Sequence, residues 1–325
     1  MPLNADDLID RRRLRRKLTF WRVVAIAIAA IAFGGAAFWS LNGNLDGVSS
    51  SHIAKLRIEG TITEDEELLD RIKKVRESEA VKGVILSVDS PGGTTAGGEA
   101  IFEAVRELAK AKPTVAQVGT LAASAGYMIA SATDQIVARQ SSIVGSIGVL
   151  VQFPNFSGAM EKLGITLDEV KTSPLKAEPS PFNPTTEPER EMLRRMIMDS
   201  YDWFVSLVDE RRPLDRAQVL ALADGSIFTG RQALERKLVD ALGGEEKAKE
   251  WLVSKGISND LEIVEWKKAR STSSLLLSSS LGQHVARLLG LPAIDDSVLE
   301  AIGVDRIFLD GLLSLWQPAA AVAGE

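Results

Sequence analysis

The chain has 325 residues, 45% hydrophobic and 25% charged, the composition of a globular protein with a sizeable core. It has no cysteine, which excludes a disulfide framework, a cysteine nucleophile and a cysteine-based zinc site. The net charge is −6, but residues 1–17 carry +3 and the remainder −9; so acidic a body argues against a nucleic-acid partner, because phosphate binding needs a basic face.

The first predicted element follows the basic cluster Arg11 to Lys17. Seventeen residues from Val23 to Trp39 carry no charge and would span about 25 Å as a helix, just short of a hydrocarbon core. Trp21 and Trp39 bracket the run, as aromatic residues do at the two interfaces of a spanning helix. We expect a single membrane anchor over 21–41, after a cytoplasmic segment 1–20. Lys and Arg on the N-terminal flank alone place the body across the membrane by the positive-inside rule. A cleaved signal peptide near Ala36-Ala37, a twin-arginine signal at Arg15-Arg16 and a buried core helix are the competing readings. Residues 42–51, within the Ser/Gly/Asn-rich stretch Ser40 to Ser51, read as a linker.

The body begins with apolar alternation from His52 to Ile62, a predicted strand. Leu68, Leu69, Ile72 and Val75 then recur at helical spacing over 64–78. Val81 to Val88 is mostly apolar and rich in β-branched residues, so it reads as a buried strand. Ser90-Pro91-Gly92-Gly93 reads as a turn. A helix over 97–110 buries Ile101, Val105 and Leu108, and Pro113 stops it before a strand from Thr114 to Val118. Ala123 to Ala132 begins a helix. Short strands are predicted at 135–138, 146–152 and 167–171. A long charged helix over 187–211 turns Met192, Met196, Phe204 and Val208 inward. This alternation implies an α/β fold, with a domain over 52–266 and a peripheral tail over 267–325.

The only histidines are His52 and His284, one at the linker edge and one in the tail, and both read as surface residues. A Ser-His-Asp triad is therefore disfavoured, as is a histidine metal site. No Walker phosphate loop or dinucleotide glycine pattern follows a strand. If the chain uses covalent catalysis, the available base is a lysine, whose pKa falls when it is desolvated. Ser124 lies among small residues, Leu121-Ala122-Ala123-Ser124-Ala125-Gly126-Tyr127, at a predicted helix start, where N–H groups favour a developing oxyanion. The plain alternative is a helix N-cap. The glycines of Ser90-Pro91-Gly92-Gly93 let backbone N–H groups approach a ligand; the plain alternative is a β-turn.

Four stretches together resemble the signal peptide peptidase A family of bacterial membrane-bound serine proteases. They are Val88-Asp89-Ser90-Pro91-Gly92-Gly93, Gly119 to Tyr127, Val144-Gly145-Ser146-Ile147-Gly148-Val149, and Gly225-Ser226-Ile227-Phe228-Thr229-Gly230 with Leu238-Val239-Asp240. The resemblance implies the Clp protease/crotonase fold, with stacked sheets and flanking helices. It implies Ser124 as nucleophile and a lysine about fifty residues later as base. Lys171 and Lys176 are the candidates, and motif position selects Lys176. It further implies Ser146 as the hydroxyl that hydrogen-bonds the lysine, and the N–H groups of Gly93 and Ala125 as oxyanion donors, with no metal and no cofactor. Its implied substrates are remnant signal peptides and other apolar peptides, and its implied assembly is a homo-oligomeric ring, an octamer for this short form. Three positions depart from the pattern: Ala125 replaces a glycine, Ala177 stands where an acid often follows the lysine, and Lys237 replaces a glycine. Two rivals remain, a crotonase-like acyl-CoA enzyme and an inactive scaffold homologue.

Overall fold

The computed structural model describes residues 17, 20–28, 50–267 and 313–315. The chain divides into two units, Met1–Ser50 and Ser51–Glu325. In the first, residues 20–28 are helical and Trp21 is exposed. Among the described residues no helix is long and apolar enough to cross a membrane. Most of the expected anchor, most of the linker over 42–51, His284 and nearly all of the tail lie outside the described residues.

The second unit opens with strand β1 (His52–Ile62) and helix α1 (Glu66–Glu77). Asp65 caps α1 by accepting from the Leu68 N–H at 3.0 Å, and Glu66 and Glu67 favour its positive end. Leu68, Ile72 and Val75 are its buried face, as the spacing predicts. Strand β2 (Val81–Thr94) follows, then helix α2 (Thr95–Ala111), strand β3 (Thr114–Ala123) and helix α3 (Ala125–Ser131). Parallel pairing of β1, β2 and β3 explains why Val84 to Val88 is apolar on both faces. Alternate residues supply two cores. Ala54, Leu56, Val84, Leu86, Ala116 and Val118 pack on the larger side, with Tyr127 and Phe204. Ile53, Ile85 and Val115 pack on the other, with Ala248 and Leu252 of helix α8 (Glu245–Ser254).

The sheet forks at β3. Val115–Val118 pair with β4 (Gln135–Ala138), whereas Leu121–Ala123 pair with β5 (Ile143–Gly145). Beyond β5 lies β6 (Ile227–Thr229), antiparallel, and beyond β4 lies β7 (Ala241–Leu242). Strand β8 (Ile263–Glu265) closes the far edge against β1, and β9 (Leu313–Leu315) pairs with β2. The architecture is mixed α/β, as expected, but hydrogen bonds join its strands into one branched sheet.

The long helix is present as α5 (Glu187–Arg211), with Phe204 and Val208 buried. Met196, by contrast, is exposed, because only the C-terminal half of α5 reaches the core. The strands expected at 146–152 and 167–171 do not form. Residues 151–186, which include the short helix α4 (Ser157–Leu163), contain no buried residue. Leu163, Ile165, Leu167, Val170, Leu175 and Phe182 are all exposed there. His52 is a second correction: it is 1% exposed. Its ring stacks on Trp266, whose Nε1–H donates to His52 Nε2 at 3.1 Å.

Candidate active site

Ser124 is the single residue between β3 and α3, and the backbone there is strained. It has φ 56° and ψ −121°, a conformation that costs a non-glycine residue on the order of 1–3 kcal/mol. Its N–H donates to the Gly145 carbonyl at 2.8 Å, and its own carbonyl receives the Met128 N–H at 2.9 Å. Ser124 holds the N-cap position, yet its side chain makes no capping bond. The plain N-cap reading of the sequence therefore fails, and the strain goes to aiming the residue rather than closing the helix.

Small residues hold this elbow in place. A Cβ on Gly126 would lie 2.8 Å from the Ser90 carbonyl oxygen, and one on Gly98 would lie 3.0 Å from the Ala125 Cβ. The far side of α3 is anchored by Tyr127, fully buried, whose hydroxyl donates to the Leu238 carbonyl at 2.9 Å. Burial pushes that hydroxyl's pKa up, so it remains a protonated donor. The same loop is clamped by Arg212, which donates to the Lys237 carbonyl and to both oxygens of Asp240. Asp240 also accepts the Ile136 N–H at 2.7 Å. Lys237 has φ 58°, which explains why a glycine suits that position.

The expected turn at Ser90-Pro91-Gly92-Gly93 is instead the continuing end of β2. Thr61 and Ile62 pair with Gly92 and Gly93 across β1, and Ser90 pairs with Ala122 across β3. The Ser90 hydroxyl donates to the Gly60 carbonyl at 2.6 Å and accepts from the Gly92 N–H at 3.0 Å. A Cβ on Gly93 would meet the Ile62 carbonyl oxygen at 1.8 Å, so only glycine fits. Asp89 steadies the neighbouring strand by accepting from the Leu121 N–H at 3.1 Å. Sequence reasoning overlooked this aspartate; its signal was an acid ending a buried apolar run.

Register brings Ser146 beside Ser124. Ala123 pairs with Gly145 in the parallel β3–β5 ladder, so the next residue on each strand is a serine, and adjacent strands run about 5 Å apart. Ser146 has φ 52° and is buried, and its N–H donates to the Ser226 carbonyl at 2.7 Å. The Gly225 to Gly230 stretch thus supplies β6, the strand that flanks β5.

Ser124, Ser146, Gly93 and Ala125 accordingly gather at the ends of β2, β3 and β5. The two lysines lie on the exposed segment. Lys171 is paired with Glu169 at 2.6 Å and with Glu178. Hydrogen bonds to Glu169 and Glu178 raise its pKa, so it stays charged. Lys176 is exposed, with its backbone N–H donating to the Ser173 carbonyl at 3.1 Å. The structure does not bury its amine. Among the described residues no cluster of acids and histidines could hold a metal ion.

The profile of Peptidase family S49 matches residues 106–256, and that of Clp protease matches residues 57–144. A candidate signal peptide peptidase SppA of Enterococcus faecium is 36% identical over 279 residues, covering 79% of each chain. A candidate protease of Methanocaldococcus jannaschii is 40% identical over 223 residues, 69% of this chain and 71% of its own. Protease 4 of Haemophilus influenzae is 34% identical over 261 residues, 74% of this chain and 42% of its own. An elbow serine on a forked Clp-like sheet, and relatives that align along most of both lengths, place the chain in peptidase family S49.

Proposed function

We propose that the chain is a membrane-anchored serine endopeptidase in which Ser124 is the nucleophile and Lys176 the general base. The observation that carries this reading is the strained, uncapped backbone at Ser124. Neutral Lys176 takes the Ser124 proton as the oxygen attacks a peptide carbonyl. The Gly93 and Ala125 N–H groups hold the oxyanion, each worth ~10²–10³ in rate. Lys176 then protonates the leaving amine, and water releases the acyl group. Ser146 orients the lysine amine.

This chemistry needs a lysine out of water, since an exposed amine titrates near ~10.4. Lys171 is unsuited, because its two carboxylate partners fix it as a cation. Lys176 is left, and its burial must come from a second copy covering the exposed apolar segment around it. That requirement, with the apolar residues from Leu163 to Phe182, supports a homo-oligomeric ring, an octamer in the reading adopted here. The substrates are apolar peptides, including remnant signal peptides. An anchor over 21–41 would hold the body on the outer face of the cytoplasmic membrane, beside such substrates.

The test pairs fluorophosphonate labelling with mass spectrometry of peptide digestion, wild type beside Ser124→Ala. The expected result is labelling at Ser124 and complete loss of cleavage in the variant, with an unchanged melting temperature. Cleavage by Ser124→Ala would remove the reading.

A further inference from the structure

Strand β2 outruns one of its two neighbours. Its pairing with β3 ends at Ser90, opposite Ala122, where β3 turns into the Ser124 elbow. Pairing with β1 continues three residues further, to Gly93. The edge of Gly92, Gly93 and Thr94 that faces away from β1 therefore has no strand from the body of the sheet. Such an edge is a ready template for an extended chain. The structure fills it with β9, antiparallel, with Leu315 opposite Gly92, Ser314 opposite Gly93 and Leu313 opposite Thr94. Strand β9 also touches α2.

We infer that this edge is the groove in which an extended apolar peptide adds as an antiparallel strand, and that the chain's own segment Leu313–Leu315 is its resident occupant, a tethered competitor of substrate. The inference rests on the proposed function. Four observations carry it. The edge belongs to the same strand end as Gly93, beside the Ser124 elbow. Glycine at 92 and 93 removes two side chains that would keep a second backbone away. The occupying sequence, Leu312-Leu313-Ser314-Leu315-Trp316, is apolar with one small residue, the chemistry of the substrates proposed above. Finally, the segment is covalently joined to the domain it occupies. Tethering supplies an effective concentration on the order of millimolar, so even weak pairing displaces scarce free peptide. The occupant thereby lowers the fraction of enzyme competent to bind substrate, and the apparent KM rises by that fraction.

The test uses the full chain and the double variant Leu313→Pro/Ser314→Pro. Adjacent residues of a strand point their N–H groups to opposite edges, so one of the two prolines removes a donor facing β2 whichever way the ladder alternates. Amide exchange at Gly92, Gly93 and Thr94 is the first readout. The full chain should protect these amides independently of protein concentration, and the variant should lose that protection. A synthetic peptide of residues 310–319 should restore it. With a soluble fluorogenic apolar peptide, the variant's KM should fall by about five- to tenfold with kcat unchanged. The 310–319 peptide should raise it again. Equal exchange in both proteins, or protection that appears only at high protein concentration, overturns the inference. Equal KM in both proteins also overturns it and leaves the protease reading standing. Loss of protection as expected, in a protein that neither labels at Ser124 nor cleaves peptides, would leave the groove and its occupant standing and remove the protease.

Discussion

The Ser124 elbow and the segment 151–186 are built on opposite terms. Around the elbow, Ala122, Ala123, Ala125 and Tyr127 are all fully buried, the backbone is strained, and its glycines sit where a Cβ would collide with carbonyls or neighbouring side chains. In 151–186 nothing is buried, and Val170 is 105% exposed. One region is over-determined by its own chain, and the other is left unfinished by it. The lesson is that a nucleophile can be positioned by a single fold, whereas the low-dielectric surroundings of its base can depend on a second copy.

The contrast breaks most visibly at Lys176. Lys176→Ala should cut peptide cleavage by about 10²–10⁴ or more while the melting temperature stays put, because an exposed side chain supports no packing. Retained activity would show the exposed segment to be idle. Gly93→Ala tests the opposite pole. A Cβ 1.8 Å from the Ile62 carbonyl must push β1 and β2 apart, so urea denaturation should report a loss of about 2–3 kcal/mol. An unchanged midpoint would mean that the elbow is less rigid than drawn. Val170→Glu sharpens the comparison: sedimentation should shift to smaller species, with unchanged circular dichroism, if a second copy covers that face. The smallest effect concerns pH. The hydrogen bond from Lys171 lowers the Glu178 pKa and raises that of Lys171. The pair's contribution is present above the ordinary carboxylate value of ~4.3 and is lost as pH falls through the lower folded value. At the alkaline end it is present below ~10.4 and lost above the raised value. Limited proteolysis within 151–186 should quicken at pH 3 relative to pH 6, with the elbow uncut, and Glu178→Gln should reproduce the effect at pH 6.

Most of the elbow was legible in the sequence because its constraints are local. The apolar run Val81 to Val88 signals a parallel strand, and the small residues around Ser124 signal a crowded helix start. The end of β2 was misread because Pro91, Gly92 and Gly93 carry turn composition, and composition does not show that β1 keeps pairing alongside. The strands expected at 146–152 and 167–171 failed for another reason. Apolar residues read as core, but at Ile165, Leu167 and Val170 they face outward. The buried His52 was illegible because its partner, Trp266, is 214 residues away. The Tyr127 bond to Leu238 was hidden for the same reason.

The fork at β3 also sets when the nucleophile can be ready. Strand β5 carries the serine beside the elbow, its outer edge is sealed by β6, and the helix that follows Ser124 is tied down at Leu238. A nascent chain still lacking those residues has emitted its nucleophile but not the parts that aim it. Synthesis itself thus delays the enzyme's competence, and a truncated chain reaching only the middle of α5 would be harmless to the proteins around it.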